Sequence, residues 1–448
     1  MRTTTRKNLR AGIAEGLLTT PYSVVVMPGA FVLSALLTQW FGLEKSAYGF
    51  LVSLPFLANA AQTLALPLLA GRAAPKRLTL TMAWVNLAFW AALIATLPLL
   101  SRNNGPQVVF VFTVLLGLMS LSGAFSSVGW IAWIREWIPS RLRGGYLGVR
   151  NSSIAAGTLV FLGMVMLVFK SLPNSIWPFV CVLGFAATSR FFGLLTLQTI
   201  HSPRPSAVIE SPGLFASLRE CLHAPGFPLF ILFSAWTNFW MGFSSPFGPV
   251  FCFEELGLGP DDMALFTALA TASAVAGWTF WGRVADRAGN IPVLVFGMLV
   301  WETSNVLWAF LHPGNSWLLY LMFLWGGFFS VAFFLSTFNL LLNIVPKKSS
   351  TAAISIHLGI TSAAMGIAPI LAGGLLQEFL VRRGYGLAVY HFGFFLKSAA
   401  TLLGLLLFFG IREPGRTRRE SLPAALRSLL RIMATQATEL LKKRPAAR

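Results

Sequence analysis

Read from its N-terminus, the chain alternates apolar runs of roughly 20 to 30 residues, the length that crosses a bilayer as a helix, with short polar segments holding most of its lysines and arginines. The runs fall near 11–37, 47–70, 78–100, 107–133, 148–169, 177–199, 227–252, 262–281, 291–311, 316–344, 352–378 and 388–411. They are predicted to be twelve membrane-spanning helices, numbered below as spans 1 to 12. The runs are continuous and do not alternate with period two, so a transmembrane β-barrel is disfavoured. The expected fold class is an all-α membrane protein.

Composition supports the pattern. The chain is 56% hydrophobic and 11% charged, where a soluble protein carries about a quarter charged residues, and this excludes a soluble globular reading. The 40 Gly and 25 Pro suit helices whose neighbours can satisfy backbone groups freed by a kink. Cys181, Cys221 and Cys252 lie far apart, without metal-ligand or CxxC spacing. No metal, cofactor or catalytic residue is expected, and the lack of a Walker A pattern argues against ATP drive.

The net charge of +19 would suggest nucleic acid in a soluble chain, but here the sidedness of the basic residues carries the information. With the N-terminus inside, the cytoplasmic segments collect 27 lysines and arginines. The outer loops hold only Lys45, Arg102, Lys170, Arg382 and Arg383, beside Glu44, Glu254, Glu255, Asp261, Asp262 and Glu378. Both termini are therefore expected in the cytoplasm, with no nucleic-acid partner. The N-terminal segment lacks a cleavage site and reads as an uncleaved first helix. The tail after Pro414 places Leu422, Leu426, Leu429, Met433 and Leu440 on one helical face and Arg427, Arg431, Lys442, Lys443 and Arg444 elsewhere. It is read as an amphipathic basic helix on the anionic lipids of the cytoplasmic leaflet.

The chain repeats itself. Gly71-Arg72 and Gly282-Arg283 lie 211 residues apart, and Pro139 and Arg150 are matched by Pro346 and His357 at an offset of 207. Two pseudo-symmetric six-helix halves follow: residues 1–199, a polar linker over 200–226, residues 227–411, and the tail over 412–448.

With twelve spans and a half-length repeat in place, Gly282-x-x-x-Asp286-Arg287-x-Gly289 after span 8 makes the chain resemble the major facilitator superfamily (MFS) of secondary transporters, over residues 1 to 411. The resemblance implies a cytoplasmic latch between the halves at Gly282, Asp286, Arg287 and Gly289. Its first-half copy has Pro75 where the acid belongs. Neither Arg-x-x-Gln-Gly in span 4 nor Gly-Pro-x-x-Gly-Gly in span 5 is present, which weakens a drug/proton antiporter reading.

The resemblance also implies that spans 1, 4, 7 and 10 line a central cavity, so polar and aromatic residues there are candidate solute contacts. Span 4 presents Ser122, Ser126, Trp130 and Trp133; span 7 presents Trp236, Asn238, Trp240, Phe243 and Phe247; span 10 presents Ser336, Asn339 and Asn343. The leading candidates are Trp130, Asn238, Trp240, Ser336 and Asn339. Amides and hydroxyls beside flat rings suit a sugar, glycoside or similar small organic solute. Pro21 and Pro28 in span 1 and Pro246 and Pro249 in span 7 predict broken helices at corresponding places in the halves.

Intramembrane charges need a reason, and the spans hold Glu15, Arg150, Arg190, Glu302 and Lys397. Glu15, Arg150 and His357 are candidate proton-coupling groups, with a fixed Glu15–Arg150 pair as the alternative for the first two. Glu302 in span 9 and Lys397 in span 12 reach similar depth and are read as a structural ion pair. The expected function is secondary active or facilitative transport by alternating access, by a monomer of a bacterial inner (plasma) membrane, with protons as possible co-substrate. A drug or metabolite efflux antiporter is the alternative within that class; a lipid flippase, or a membrane enzyme acting on lipid-linked substrates, is the alternative outside it.

Overall fold

A computed structural model describes residues 2–27, 29–69, 74–138, 140–202, 219–220, 222–345, 350–411 and 427–436. The Gly71-Arg72 pair, Pro28, Pro139, Pro346, Cys221, most of the linker and the tail residues Leu422, Leu426, Leu440 and Lys442 to Arg444 lie outside these residues. Every regular element described is helical. Within a bilayer, only a helix or a closed barrel satisfies its own backbone groups.

Spans 2 to 6 are the helices Lys45–Leu69, Pro75–Thr96, Gly105–Trp137, Ser140–Ser171 and Trp177–Gln198. Spans 8 to 12 are Pro260–Ala288, Asn290–Asn305, Leu318–Ile344, Ser350–Leu376 and Leu387–Gly404. Ten helical stretches among the described residues are by themselves long and apolar enough to cross a membrane. Spans 1 and 7 are each made of two pieces.

Span 1 runs as Arg2–Val26 and resumes as Phe31–Ala35 with a π-helical turn over Leu36–Trp40; span 7 runs as Phe227–Ser244 and resumes as Phe247–Glu254. The placement corrects the proline expectation. Pro21 lies inside the first piece of span 1, and Pro249 sits in the first turn after the break in span 7, where its missing N–H removes no helical bond. Pro246 keeps its expected place at the span 7 break, the span 1 break between Val26 and Phe31 holds Gly29 with φ +72°, and the two meet: a Cβ on Gly29 would lie 3.0 Å from the Pro246 Cα.

The halves pack through span 2 against span 11 and span 5 against span 8. The first contact is close because of glycine: a methyl at Gly49 would collide with the Pro369 carbonyl, and one at Gly373 with that of Lys45. The apolar clusters are distributed unequally. At the ends that the basic residues predict to face outward, called outer below, one cluster runs through both halves, joining Phe31, Tyr48 and Phe112 to Phe247, Phe251 and Tyr390. Toward the opposite ends each cluster belongs to one half, such as Trp133, Trp137 and Tyr146 in the first and Trp281, Val284 and Val293 in the second. The tail residue Leu429 is fully buried in that last cluster, so the helix over 427–436 docks on the ends of spans 8 to 10.

Candidate functional site

The seam between the halves is polar as well as apolar at its outer end. Lys45, at the start of span 2, donates to both carboxylate oxygens of Glu254, 2.6 Å to Oε2, and its backbone N–H donates to Gln377 Oε1 at 3.0 Å. One turn deeper the Tyr48 hydroxyl donates to the Pro246 carbonyl at 2.7 Å, lies 2.7 Å from the Ser34 hydroxyl, and packs its ring edge-on against Phe247. These contacts tie span 2 to both the break and the outer end of span 7. Beyond the end of span 7, the Glu255 carboxyl is held above its ordinary value, first by burial and then by Glu254 beside it. Lys45 and His391 act in the opposite direction.

The candidate cavity residues divide between the halves. On span 7, Trp240 is half-buried among Trp236, Phe239 and Phe243, with its indole N–H buried and unpartnered. Asn238, also half-buried, donates to the Ser234 carbonyl at 2.7 Å. On span 10, Ser336 is fully buried with an unpartnered hydroxyl, and Asn339 is half-buried. Trp236 turns to span 12, where its indole donates to the Ala400 carbonyl. On span 4, Ser126 donates to the Thr79 carbonyl of span 3, and Trp133 is buried with its indole on Ser202. Trp130 stands apart from that packed face, half-buried, with the Arg150 guanidinium 5.2 Å from its ring centre.

The charged candidates are arranged differently from the sequence pairing. Glu15 Oε2 accepts from Arg150 at 3.1 Å, and its Oε1 accepts from Arg190 at 3.3 Å and from Thr19 at 3.0 Å. Arg190 also donates to Thr19 at 2.9 Å, and Arg150 to the Gly12 carbonyl at 3.2 Å. Span 1 thus offers one carboxylate to two arginines, from spans 5 and 6. Tyr22, two turns beyond Glu15, lies with its ring under Arg190 and its hydroxyl on Asn86 Oδ1. Arg190 was legible as an intramembrane charge, and a signal for its importance was available: it lies 207 residues before Lys397, the offset that relates Arg150 to His357.

The second half fills the corresponding places otherwise. His357 is buried and stacked on Phe230 at 5.5 Å, and neither ring nitrogen has a hydrogen-bond partner. Lys397 donates to both oxygens of Glu302 at 2.7 Å. In the latch motif, Gly289 takes φ +95° and its N–H closes the last turn of span 8 on the Ala285 carbonyl, which only glycine does without strain. Gly282 and Arg287 lie on the same helix. Asp286 is exposed, and no described residue bonds to it.

Residues 229–447 match the sequence profile of the Major Facilitator Superfamily. No curated protein sequence matches the chain significantly. Among solved structures, a variant of the nucleoside transporter NupG superposes with a TM-score of 0.70 at 12% identity, covering 90% of this chain and 99% of that one. A D-xylose-proton symporter gives 0.68 at 17%, covering 92% and 99%. A bacterial homologue of the human lysosomal transporter Spinster, in an inward-facing, unoccupied conformation, gives 0.63 at 14%, covering 98% of each. At such identities the likeness is one of fold.

Proposed function

We propose that this chain, which belongs to the Major Facilitator Superfamily, carries a small organic solute across the membrane by alternating access of a site between its halves. The observation that carries the reading is the unequal seam. The two halves share an apolar core and several polar contacts at their outer ends, while toward the other end their apolar clusters are separate and Thr63 of span 2 donates to the Ser355 carbonyl of span 11 at 3.5 Å. Halves joined in this way can rock about the meeting point of Gly29 and Pro246, since breaking Lys45–Glu254 and Tyr48–Pro246 opens the outer side. The latch at Asp286 and Arg287 is assigned the complementary role of closing the cytoplasmic side.

The solute is proposed to rest against Trp130, Asn238, Trp240, Ser336 and Asn339, a reading supported by the unpartnered Trp240 indole N–H and Ser336 hydroxyl. A polyhydroxylated, sugar-like solute fits that chemistry, and the neighbours described as nucleoside and xylose transporters agree with it. Glu15 with Arg150 is the proposed coupling group should protons drive transport. A bacterial inner membrane is the proposed location, with both termini cytoplasmic, an orientation that the distribution of basic residues supports. Proteoliposomes loaded with a labelled solute panel, with and without a pH gradient, test the proposal. Saturable uptake that empties on counterflow is expected, and uptake no faster than in protein-free vesicles for every solute would overturn it.

A further inference from the structure

The cluster on spans 1, 5 and 6 is unbalanced. Glu15, Arg150 and Arg190 expose only 6%, 14% and 13% of their side chains, and together they carry one net positive charge within the membrane-embedded half. No second carboxylate pairs with either guanidinium among the described residues. Burying such a charge is costly unless a counter-charge arrives.

The donors are also in excess. Two guanidiniums present five N–H groups each, and the protein takes four of them, through Glu15, Thr19 and the Gly12 carbonyl. Arg190 Nε is fully buried and has no partner. Tyr22 and Trp130, both half-buried, flank the guanidiniums with their rings, and Asn86 fixes the Tyr22 hydroxyl. The pseudo-symmetric places in the second half hold no such excess, since Glu302 neutralises Lys397 and His357 stacks on Phe230.

We infer that the Arg150–Arg190 pair, held in position by Glu15, binds the anionic group of the solute, a carboxylate or a phosphate, so that the protein transports an organic anion. Planar guanidiniums bind both groups through charge-assisted hydrogen bonds. The inference rests on the transporter reading and sharpens its solute class: the N-terminal half takes the charge, and the aromatic and amide residues of spans 7 and 10 take the remainder.

The test compares acids with neutral partners of the same skeleton, at ionic strength matched with sodium chloride: gluconate with glucitol, glucuronate with glucose, and glycerol 3-phosphate with glycerol. Thermal unfolding of the full chain in detergent is the readout. At least one acid should stabilise saturably, above both its neutral partner and chloride. Arg190→Gln should weaken that binding about tenfold or more, the value of one charge-assisted bond. Glu15→Gln, by raising the net charge of the cluster, should tighten it several-fold, a sign that a purely structural triad does not produce. If Arg190→Gln fails to fold, Glu15→Gln decides alone.

Acids that stabilise no better than chloride, or midpoints unmoved by both substitutions, would overturn the inference. Stabilisation by phosphatidylglycerol but by none of the three acids would also overturn it, and would assign the site to a lipid headgroup. Uptake into proteoliposomes separates the two readings. Acid binding without flux leaves the anion site standing and sinks transport, whereas flux of a neutral sugar with no acid bound or carried does the reverse.

Discussion

Consider the removal of one member of the Glu302–Lys397 pair. Lys397 Nζ lies 2.7 Å from both Glu302 oxygens, the carboxylate is fully buried, and the lysine side chain is 9% exposed. The gross attraction at that distance is about 6 kcal/mol at an effective dielectric constant of about 20, but desolvation offsets much of it. Replacing either residue alone leaves the other charge buried and unpaired, at a cost of roughly 3–5 kcal/mol. Replacing both with apolar groups of similar volume removes charge and counter-charge together and should be nearly neutral. Glu302→Leu and Lys397→Met should therefore each lower the unfolding temperature in detergent by about 5–10 °C, at roughly 2 °C per kcal/mol for a large chain, while the double variant recovers most of the loss. Transport by the double variant should match the parent, because Glu302 and Lys397 bond to each other and to none of the candidate solute residues. Additive single effects would refute the pairing energetics, and loss of transport in a stable double variant would refute the structural assignment.

Three further outcomes follow. Lys45→Ala should loosen the outer closure and raise the rate at which a maleimide labels Cys252, now fully buried in the shared outer cluster, in a chain with Cys181 and Cys221 changed to serine; an unchanged rate would mean the Lys45–Glu254 pair does not hold that side shut. Asp286→Asn should slow turnover while leaving solute affinity in place if the latch has its proposed role in exchange between states, and normal turnover would contradict that role. Because the Glu255 carboxyl is raised above its ordinary value chiefly by burial, the closed outer end favours its protonated form. The Glu255 contribution to closure is then present at low external pH and lost as pH rises through the raised value, so Cys252 labelling, divided by that of a free thiol at the same pH to remove the rise in thiolate, should accelerate with pH over that range. Glu255→Gln should flatten the profile, and a variant that keeps it would place the titration elsewhere.

Much of the architecture was legible in the chain. Hydropathy located the spans because a bilayer accepts backbone only in long helices, and the offset of 207 between Arg150 and His357 reported the duplication because both halves keep the same turn spacing. The site was less legible. Pro21 and Pro249 looked like breaks as plainly as Pro246 did, since the effect of a proline depends on which carbonyl it faces and not on its presence. Lys45 and Glu254 read as loop charges, being 209 residues apart. For Glu15 the chain suggested Arg150, and nothing in one dimension showed that Arg190 meets the same carboxylate.

What the amino-acid sequence determined by itself was therefore local or statistical: where helices form, how many cross, and which segments carry the positive charge that orients them. These depend on the transfer of each segment from water to lipid, an energy that adds up residue by residue. What only the tertiary structure decided was which polar groups meet. The partnership of Glu15 with Arg150 and Arg190, the contact of the two helix breaks, the docking of Leu429 on span 8 and the closure at the outer end all depend on helix rotation and packing. Inside a membrane, lipid supplies little preference between one apolar face and another, so those contacts are selected by shape and by the few buried polar groups that must find partners.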